Sequence, residues 1–216
     1  TDHTRTILEE FVGLSTAPAC CAMERRKGTG YGRNRAAAVA RGEYLIYIDD
    51  DCYPDPSLID EHIKLLDENL TLGFVGGRVE LFDQTDLPMT ILTEKKPRTF
   101  PAHSRLRAGD IISANTSIRR SAFDSVSGWD NLFGAGTPFP CEDLDIAARL
   151  LASGWDGLYH PSPLVYHHHE RKTSEDAKAL MASYDAGRGG FYAKALLVAS
   201  LRKIYLWPWL KSVLRK

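Results

Sequence analysis

The chain has 216 residues, 44% of them hydrophobic and 25% charged, which is enough apolar material for one globular domain with a small appendage. Its net charge is −1, but residues 186–216 carry seven basic side chains and no acidic one, which leaves residues 1–185 at −8. An acidic body excludes nucleic-acid binding as the main function, and no uninterrupted apolar stretch has the length of a membrane span.

Predicted helices alternate with predicted strands along the chain. A helix near the N-terminus and a glycine-rich turn at 28–32 precede an alanine-rich helix that Gly42 closes. Tyr44–Ile48 is a near-continuous apolar run, typical of a strand covered on both faces. The remaining elements are a helix after Pro56, a strand at 74–82, a long mobile loop at 83–104, a strand at 111–118, a short helix at 121–126, a loop at 130–141, a helix at Glu142–Ala152 and a short strand at 164–168.

This alternation predicts an α/β fold with a mostly parallel sheet and helices on both faces, in a domain formed by residues 1–185. In such sheets ligands bind at the carboxyl ends of the strands. Asp49, Asp50 and Asp51 directly follow the first predicted strand, so they are placed at such an end.

The Asp49-Asp50-Asp51 triplet is the strongest chemical signal in the sequence. Acidic turns after strands are often merely solvated, but here the preceding strand has a buried pattern and no basic residue follows until Lys64. Carboxylates in that position need a cation to offset their mutual repulsion. The triplet therefore predicts a Mg²⁺ or Mn²⁺ site that holds a nucleotide diphosphate.

Two further clusters lie at element ends. Glu142 and Asp143 open a predicted helix, where the helix dipole alone would favour acids, and the same dipole would keep a general base ionised. His167 and His169 share one face of the last predicted strand, and His168 points to the other. Three histidines at a strand end predict one metal ligand, whereas a His-only zinc site is the weaker hypothesis.

The remaining polar motifs carry less information. The turn at 28–32 matches neither the dinucleotide-binding fingerprint nor a P-loop, but it leads to Arg33, a candidate contact for the diphosphate. The cysteines follow neither a zinc-binding spacing nor a disulfide framework, so we expect free thiols and a cytoplasmic location. They are Cys20, Cys21, Cys52 and Cys141.

Four segments in this order resemble family 2 glycosyltransferases of the GT-A fold, over roughly residues 1–170. The first is Gly32-Arg33-Asn34 together with residues 40–51, and the second is residues 115–120 together with Gly128-Trp129-Asp130 and Phe133-Gly134. The third is residues 142–145 together with Arg149-Leu150, and the fourth is residues 161–167. The resemblance implies an inverting transferase that moves a sugar from a nucleotide-diphosphate sugar, with UDP-sugar preferred, to a hydroxyl of a saccharide or lipid-linked acceptor. Cell-surface polysaccharide or glycolipid synthesis is the implied setting.

The resemblance also implies residue roles. Asp49, Asp50 and Asp51 would bind the ribose and the metal-bound diphosphate, with Asp51 and His167 as metal ligands. Asp143 would be the base that deprotonates the acceptor. Family members begin with two strands that have no counterpart here, so we expect an incomplete donor site and an exposed sheet edge.

Two other functions stay open on the sequence alone. A sugar-nucleotide pyrophosphorylase also binds its metal through aspartate on a related sheet, and a non-catalytic carbohydrate- or lipid-binding module would use no base at all. Slow hydrolysis of the donor would separate a transferase from a binding module.

Residues 186–216 are predicted to form a basic, aromatic-rich helical appendage. One interpretation is a helix packed on the domain with its cations in water. The other is a segment at an anionic membrane surface, which would hold the protein peripherally at the inner face of the membrane. Pro208 is expected to break or kink this helix between Trp207 and Trp209.

Overall fold

The computed structural model describes residues 3–214, which form seven helices and six strands in that range. The helices are α1 (Thr4–Leu14), α2 (Thr29–Val39), α3 (Leu58–Glu68), α4 (Arg120–Ser125), α5 (Glu142–Ala152), α6 (Ser174–Leu197) and α7 (Ala199–Leu214). The strands are β1 (Tyr44–Ile48), β2 (Cys52–Pro54), β3 (Leu72–Leu81), β4 (Arg98–Phe100), β5 (Asn115–Arg119) and β6 (Asp156–His167). Within the described residues, no helix is both long and apolar enough to cross a membrane.

The strands form one sheet in the order β1-β5-β3-β6-β2, with β4 paired to β6. The α/β class is confirmed, but the sheet is mixed rather than mostly parallel. Only β3 and β6 pair in parallel, because β5 runs antiparallel between β1 and β3, while β2 and β4 both run against β6. Strands β1, β3 and β6 nevertheless point the same way, so their carboxyl ends lie at one edge of the sheet.

Helices cover both faces of the sheet, as predicted. Side chains of β3 alternate between the faces: Phe74 enters the main core with α4 and α5, whereas Val75 and Val79 face α3. Burial of β1 is less complete than its apolar run predicts. Leu45 and Tyr47 are buried, but Ile48 is 43% exposed.

Three residues of the recognised motifs have structural roles. The buried Asn115 amide donates to the carbonyl oxygens of Arg78 and Pro163, which ties together the central strands. Arg119 donates to the Leu66 and Leu72 carbonyls, and Arg120 donates to the carbonyls that end α2. Close packing at Asn115 also explains a glycine in β3, since an added Cβ at Gly77 would lie 2.3 Å from the Asn115 amide nitrogen.

Several predicted boundaries differ from the structure. The 28–32 turn is the first turn of α2, with Gly28 at φ 126° as its N-cap. The predicted loop at 83–104 contains β4 and a bridge between Val79 and Leu92. The predicted short strand at 164–168 is the second half of the longer β6. Periodicity could not find β4 and the first half of β6, because their pairing partners are distant in sequence.

The C-terminal helices pack onto the domain. The predicted boundary between Asp185 and Ala186 falls inside α6, which starts at Ser174 with a capping box formed by Thr173 and Asp176. Apolar residues from both helices are fully buried in the main core: Phe191, Ala195, Leu201 and Tyr205. Of the two expected effects of Pro208, a break does not occur, since α7 continues through it to Leu214.

Candidate active site

The predicted site residues converge at the edge formed by the carboxyl ends of β1 and β6. Asp49, Asp50 and Asp51 follow β1, His167 ends β6, and α5 begins there with Glu142 and Asp143. All of them line one open pocket of about 710 Å³, together with Arg33 from α2. Loops before β5 and before α5, and the inward side of α6, complete its walls.

Asp51, Cys52 and His167 form a cluster whose ligand atoms all lie within 4.8 Å of one another. The Asp51 carboxylate lies 3.2 Å from His167 Nε2. Antiparallel pairing of β2 with β6 sets this geometry, because Cys52 is directly opposite His167 in the register. Sequence reasoning found Asp51 and His167 but classed Cys52 only as a free thiol.

The orientation of His167 suits a metal ligand. Thr90 donates its hydroxyl hydrogen to the Met89 carbonyl, so His167 Nδ1 can only donate to the Thr90 oxygens, each 3.1 Å away. In the neutral imidazole, a proton on Nδ1 leaves the Nε2 lone pair directed at Asp51. Two acceptors then lie 3.2 Å apart and repel each other, and a bound cation would convert that repulsion into attraction.

The other histidines have different surroundings. His169 shares a face with His167 as predicted, with ring centroids 5.2 Å apart, but its Nε2 donates to the Leu87 carbonyl and its Nδ1 lies near buried Asp86. His168 faces the other way and packs near Tyr53 and Phe82. Of the three, only His167 lies in the cluster with Asp51.

Arg33 provides the positive charge that the sequence pattern lacked near the triplet. Its guanidinium lies 2.7 Å from Asp49, 3.3 Å from Glu142 and over the Trp129 ring. Burial raises the pKa of Asp49, and the adjacent Arg33 counteracts that rise. Arg33 therefore connects the two acidic clusters. Its contact with Glu142, 109 residues away in sequence, is one that no local pattern could reveal.

Asp143 departs from the expectation of a carboxylate kept ionised by the helix dipole. Burial and the neighbouring Glu142 carboxylate raise its pKa to about 7, and these effects outweigh its hydrogen bond from the Leu144 N–H. Asp143 at the start of α5 can therefore hold or release a proton near neutral pH.

Several pocket residues were not singled out from the sequence. Tyr184, Ser183 and Arg188 come from α6, and Arg171 follows β6. Burial raises the pKa of Tyr184 to about 12, so its hydroxyl stays neutral beside the pocket acids. Nothing near these residues has a recognisable spacing, since the long-range packing of α6 brings them to the pocket.

The comparisons with known proteins agree with this architecture. A family model described as Glycosyl transferase family 2 matches residues 1–127, and one described as Glycosyl transferase family group 2 matches residues 107–215. An uncharacterized glycosyltransferase of Methanocaldococcus jannaschii is 30% identical over 77 residues, which are 36% of this chain and 26% of that protein.

Two similar solved structures hold nucleotide sugars. The mannosyltransferase PcManGT of Pyrobaculum calidifontis, in complex with GDP-Man and Mn²⁺, has a TM-score of 0.66 and 16% identity and covers 92% of this chain and 53% of its own. S. aureus TarS 1–349, in complex with UDP-GlcNAc, has a TM-score of 0.64 and 16% identity, and the match covers 92% of this chain and 56% of the TarS chain. The chain thus spans about half the length of these structures. It has their GT-A fold, and it belongs to glycosyl transferase family 2.

Proposed function

We propose that the protein is a metal-dependent, inverting glycosyltransferase that moves a sugar from a nucleotide-diphosphate sugar to a hydroxyl acceptor. One observation carries the proposal. A carboxylate–imidazole pair suited to a divalent metal, Asp51 with His167, lines the same pocket as Asp143, an acid with a pKa near neutrality. Metal-assisted departure of a diphosphate and removal of a proton from the acceptor need these two features.

The donor set fits a divalent metal. Oxygen and imidazole ligands suit Mn²⁺ and are compatible with Mg²⁺. Burial and the nearby acids raise the pKa of Cys52 to about 12, which favours the neutral thiol and leaves Asp51 and His167 as the two ligands. When bound, the metal would neutralise negative charge on the leaving diphosphate.

Asp143 performs the proton transfer in this proposal. Its carboxylate accepts the proton of an acceptor hydroxyl as that oxygen forms a bond to the anomeric carbon and the bond from that carbon to the diphosphate breaks. Attack from the face opposite the leaving group inverts the anomeric centre. A base with a pKa near the working pH is well matched to this task.

Arg33 and the remaining acids position the donor. Asp49 and Asp50 are proposed to contact the ribose and diphosphate, and Asp49 is already oriented by Arg33. Among the described residues, Arg33 forms ion pairs with the carboxylates of Asp49 and Glu142. These contacts support a role in holding the two acidic clusters, in addition to the proposed contact with the diphosphate.

The donor and acceptor classes are further parts of the proposal. GDP-Man and UDP-GlcNAc are bound in the two similar structures. We propose a UDP-sugar donor and a saccharide or lipid-linked acceptor, in polysaccharide or glycolipid synthesis in the cytoplasm.

Donor hydrolysis tests the proposal directly. The intact protein is incubated with UDP-GlcNAc, UDP-glucose or GDP-mannose and Mn²⁺, and release of nucleoside diphosphate is measured. We expect slow release that EDTA abolishes and that Asp51→Ala lacks. Formation of nucleoside triphosphate from added pyrophosphate would indicate a pyrophosphorylase instead. Tight donor binding without any turnover in the presence of diverse acceptors would indicate a binding module.

A further inference from the structure

We propose that the outer face of α7, together with an adjoining basic hollow, binds a membrane surface that contains anionic phospholipids, with a lipid phosphate in the hollow. The face is called here the α7 stripe and consists of Ser200, Lys203, Leu206, Trp207 and Lys211. The proposal is independent of the transferase activity, because none of these residues lines the active-site pocket.

Helix α7 is apolar on two opposite sides. On its inner side Leu201 and Tyr205 are at most 1% exposed, and the Tyr205 hydroxyl bonds both backbone groups of Leu106. On its outer side Trp207 is 64% and Leu206 40% exposed. An exposed helix face in water is normally polar, so this second apolar side indicates a further, less aqueous contact.

The charges of α7 define the kind of contact. The helix contains no acidic residue, and its exposed cations are Arg202, Lys203 and Lys211. Within the part of the chain that the structure describes, none of these three pairs with a carboxylate. By contrast, Lys194 of α6 is held by Asp130 and Asp145. Lys211 lies over the Trp207 ring, with its Nζ 5.4 Å from the ring centroid, and without an opposing carboxylate the three cations are available to an external anion.

A hollow of about 520 Å³ lies at the start of the α7 stripe. Its polar lining has no carboxylate: it consists of His103, Arg105, Ser200 and Lys203. Arg105 is oriented by a 3.0 Å hydrogen bond to the Tyr192 hydroxyl, which leaves other guanidinium N–H groups free to donate. Ser200 lies in the first turn of α7, where the helix dipole adds positive potential.

Lys203 joins the two features, since it lines the hollow and precedes Leu206 and Trp207 by three and four residues on one helix face. A phosphate alone would fill the hollow but leave Trp207 exposed. An anionic bilayer provides both phosphate for the cations and an interfacial region that tryptophan favours. The acidic body, at −8 over residues 1–185, would orient away from that surface.

Vesicle co-sedimentation of the full 216-residue chain tests the proposal. We expect binding to phosphatidylcholine vesicles containing phosphatidylglycerol, weak binding to pure phosphatidylcholine, and a loss of binding at high salt. Arg105→Gln with Lys203→Gln should weaken binding by roughly 25-fold, because each cation near an anionic surface contributes about a factor of five. Leu206→Ser with Trp207→Ser should weaken it while preserving its salt dependence.

A charge-matched control keeps the test specific. Arg41 and Lys64 are exposed, lie outside the hollow and form no ion pair among residues 3–211, so Arg41→Gln with Lys64→Gln removes the same charge. Circular dichroism checks the fold of each variant. Equal losses in the control and hollow variants would overturn the proposal, as would no vesicle binding by the wild-type chain. Calorimetric binding of inorganic phosphate without any vesicle binding would also overturn it, in favour of a soluble phosphate ligand.

Discussion

Two aspartates of α5, two positions apart, have opposite electrostatic surroundings. Asp145 is 1% exposed and is held by Lys194 at 2.5 Å and Arg149 at 2.8 Å. Asp143 faces the pocket beside Glu142, and its carboxylate accepts a hydrogen bond from the backbone N–H of Leu144. A buried carboxylate with two cations is structural, whereas one that lacks a direct cation has a raised pKa and is available for proton transfer.

The largest expected effect comes from Asp143→Asn, which keeps the side-chain shape but removes its ability to accept a proton. Turnover of the intact protein should fall by ~100-fold or more, the usual contribution of a general base, while donor affinity is retained. Steady-state kinetics and calorimetry with the donor measure the two quantities. Full turnover in this variant would remove Asp143 from the mechanism and make Glu142 the better candidate.

The same change at Asp145 should act on stability instead. Asp145→Asn leaves Lys194 and Arg149 with less compensating charge inside the protein, and breaking a buried ion pair from one side costs about 3 kcal/mol. Urea unfolding measures the loss, and Asp143→Asn is the matched control that should not show it. An Asp145→Asn protein of wild-type stability would contradict the structural role.

The sequence locates both aspartates but cannot distinguish between them. The helix Glu142–Ala152 was predicted with its correct bounds because its apolar spacing is local. Lys194, however, is 49 residues from Asp145 in sequence. The dipole argument likewise failed for Asp143, since burial and Glu142 depend on the folded pocket.

The same limit applies to the sheet and the metal cluster. The β1 strand and the position of its acidic turn follow from local pattern, whereas the antiparallel return of β5 does not. Cys52 was missed for the same reason: its place opposite His167 arises only when β2 pairs with β6. Long-range pairing, rather than local propensity, decides which of the predicted ligands meet.

Metal binding offers a second contrast within the acidic pocket. Asp51→Ala should weaken Mn²⁺ binding in the presence of nucleotide by more than the 10–100-fold typical of losing a supporting group, because a direct ligand is removed. His167→Ala should have a similar effect. The Cys52→Ser variant should bind Mn²⁺ almost as tightly as the wild type does, since the neutral thiol of Cys52 is not a proposed ligand. Isothermal calorimetry measures all three, and strong loss in Cys52→Ser alone would instead indicate a thiolate site.

The last expected effect is on the pH dependence of stability. Because the pKa of Asp143 is raised to about 7 in the folded protein, folding takes up a proton between about pH 4 and pH 7. The contribution of Asp143 to the free energy of unfolding is therefore most favourable at low pH and decreases as the pH rises through this window. Asp143→Asn removes that decrease, so the variant should gain stability relative to the wild type between pH 5 and pH 8. Urea unfolding at both pH values measures the gain, with the exposed Asp124→Asn as a control that should follow the wild type. Parallel pH profiles for Asp143→Asn and the wild type would show that Asp143 is ionised like an ordinary surface acid, and the contrast with Asp145 would then rest on ion pairing alone.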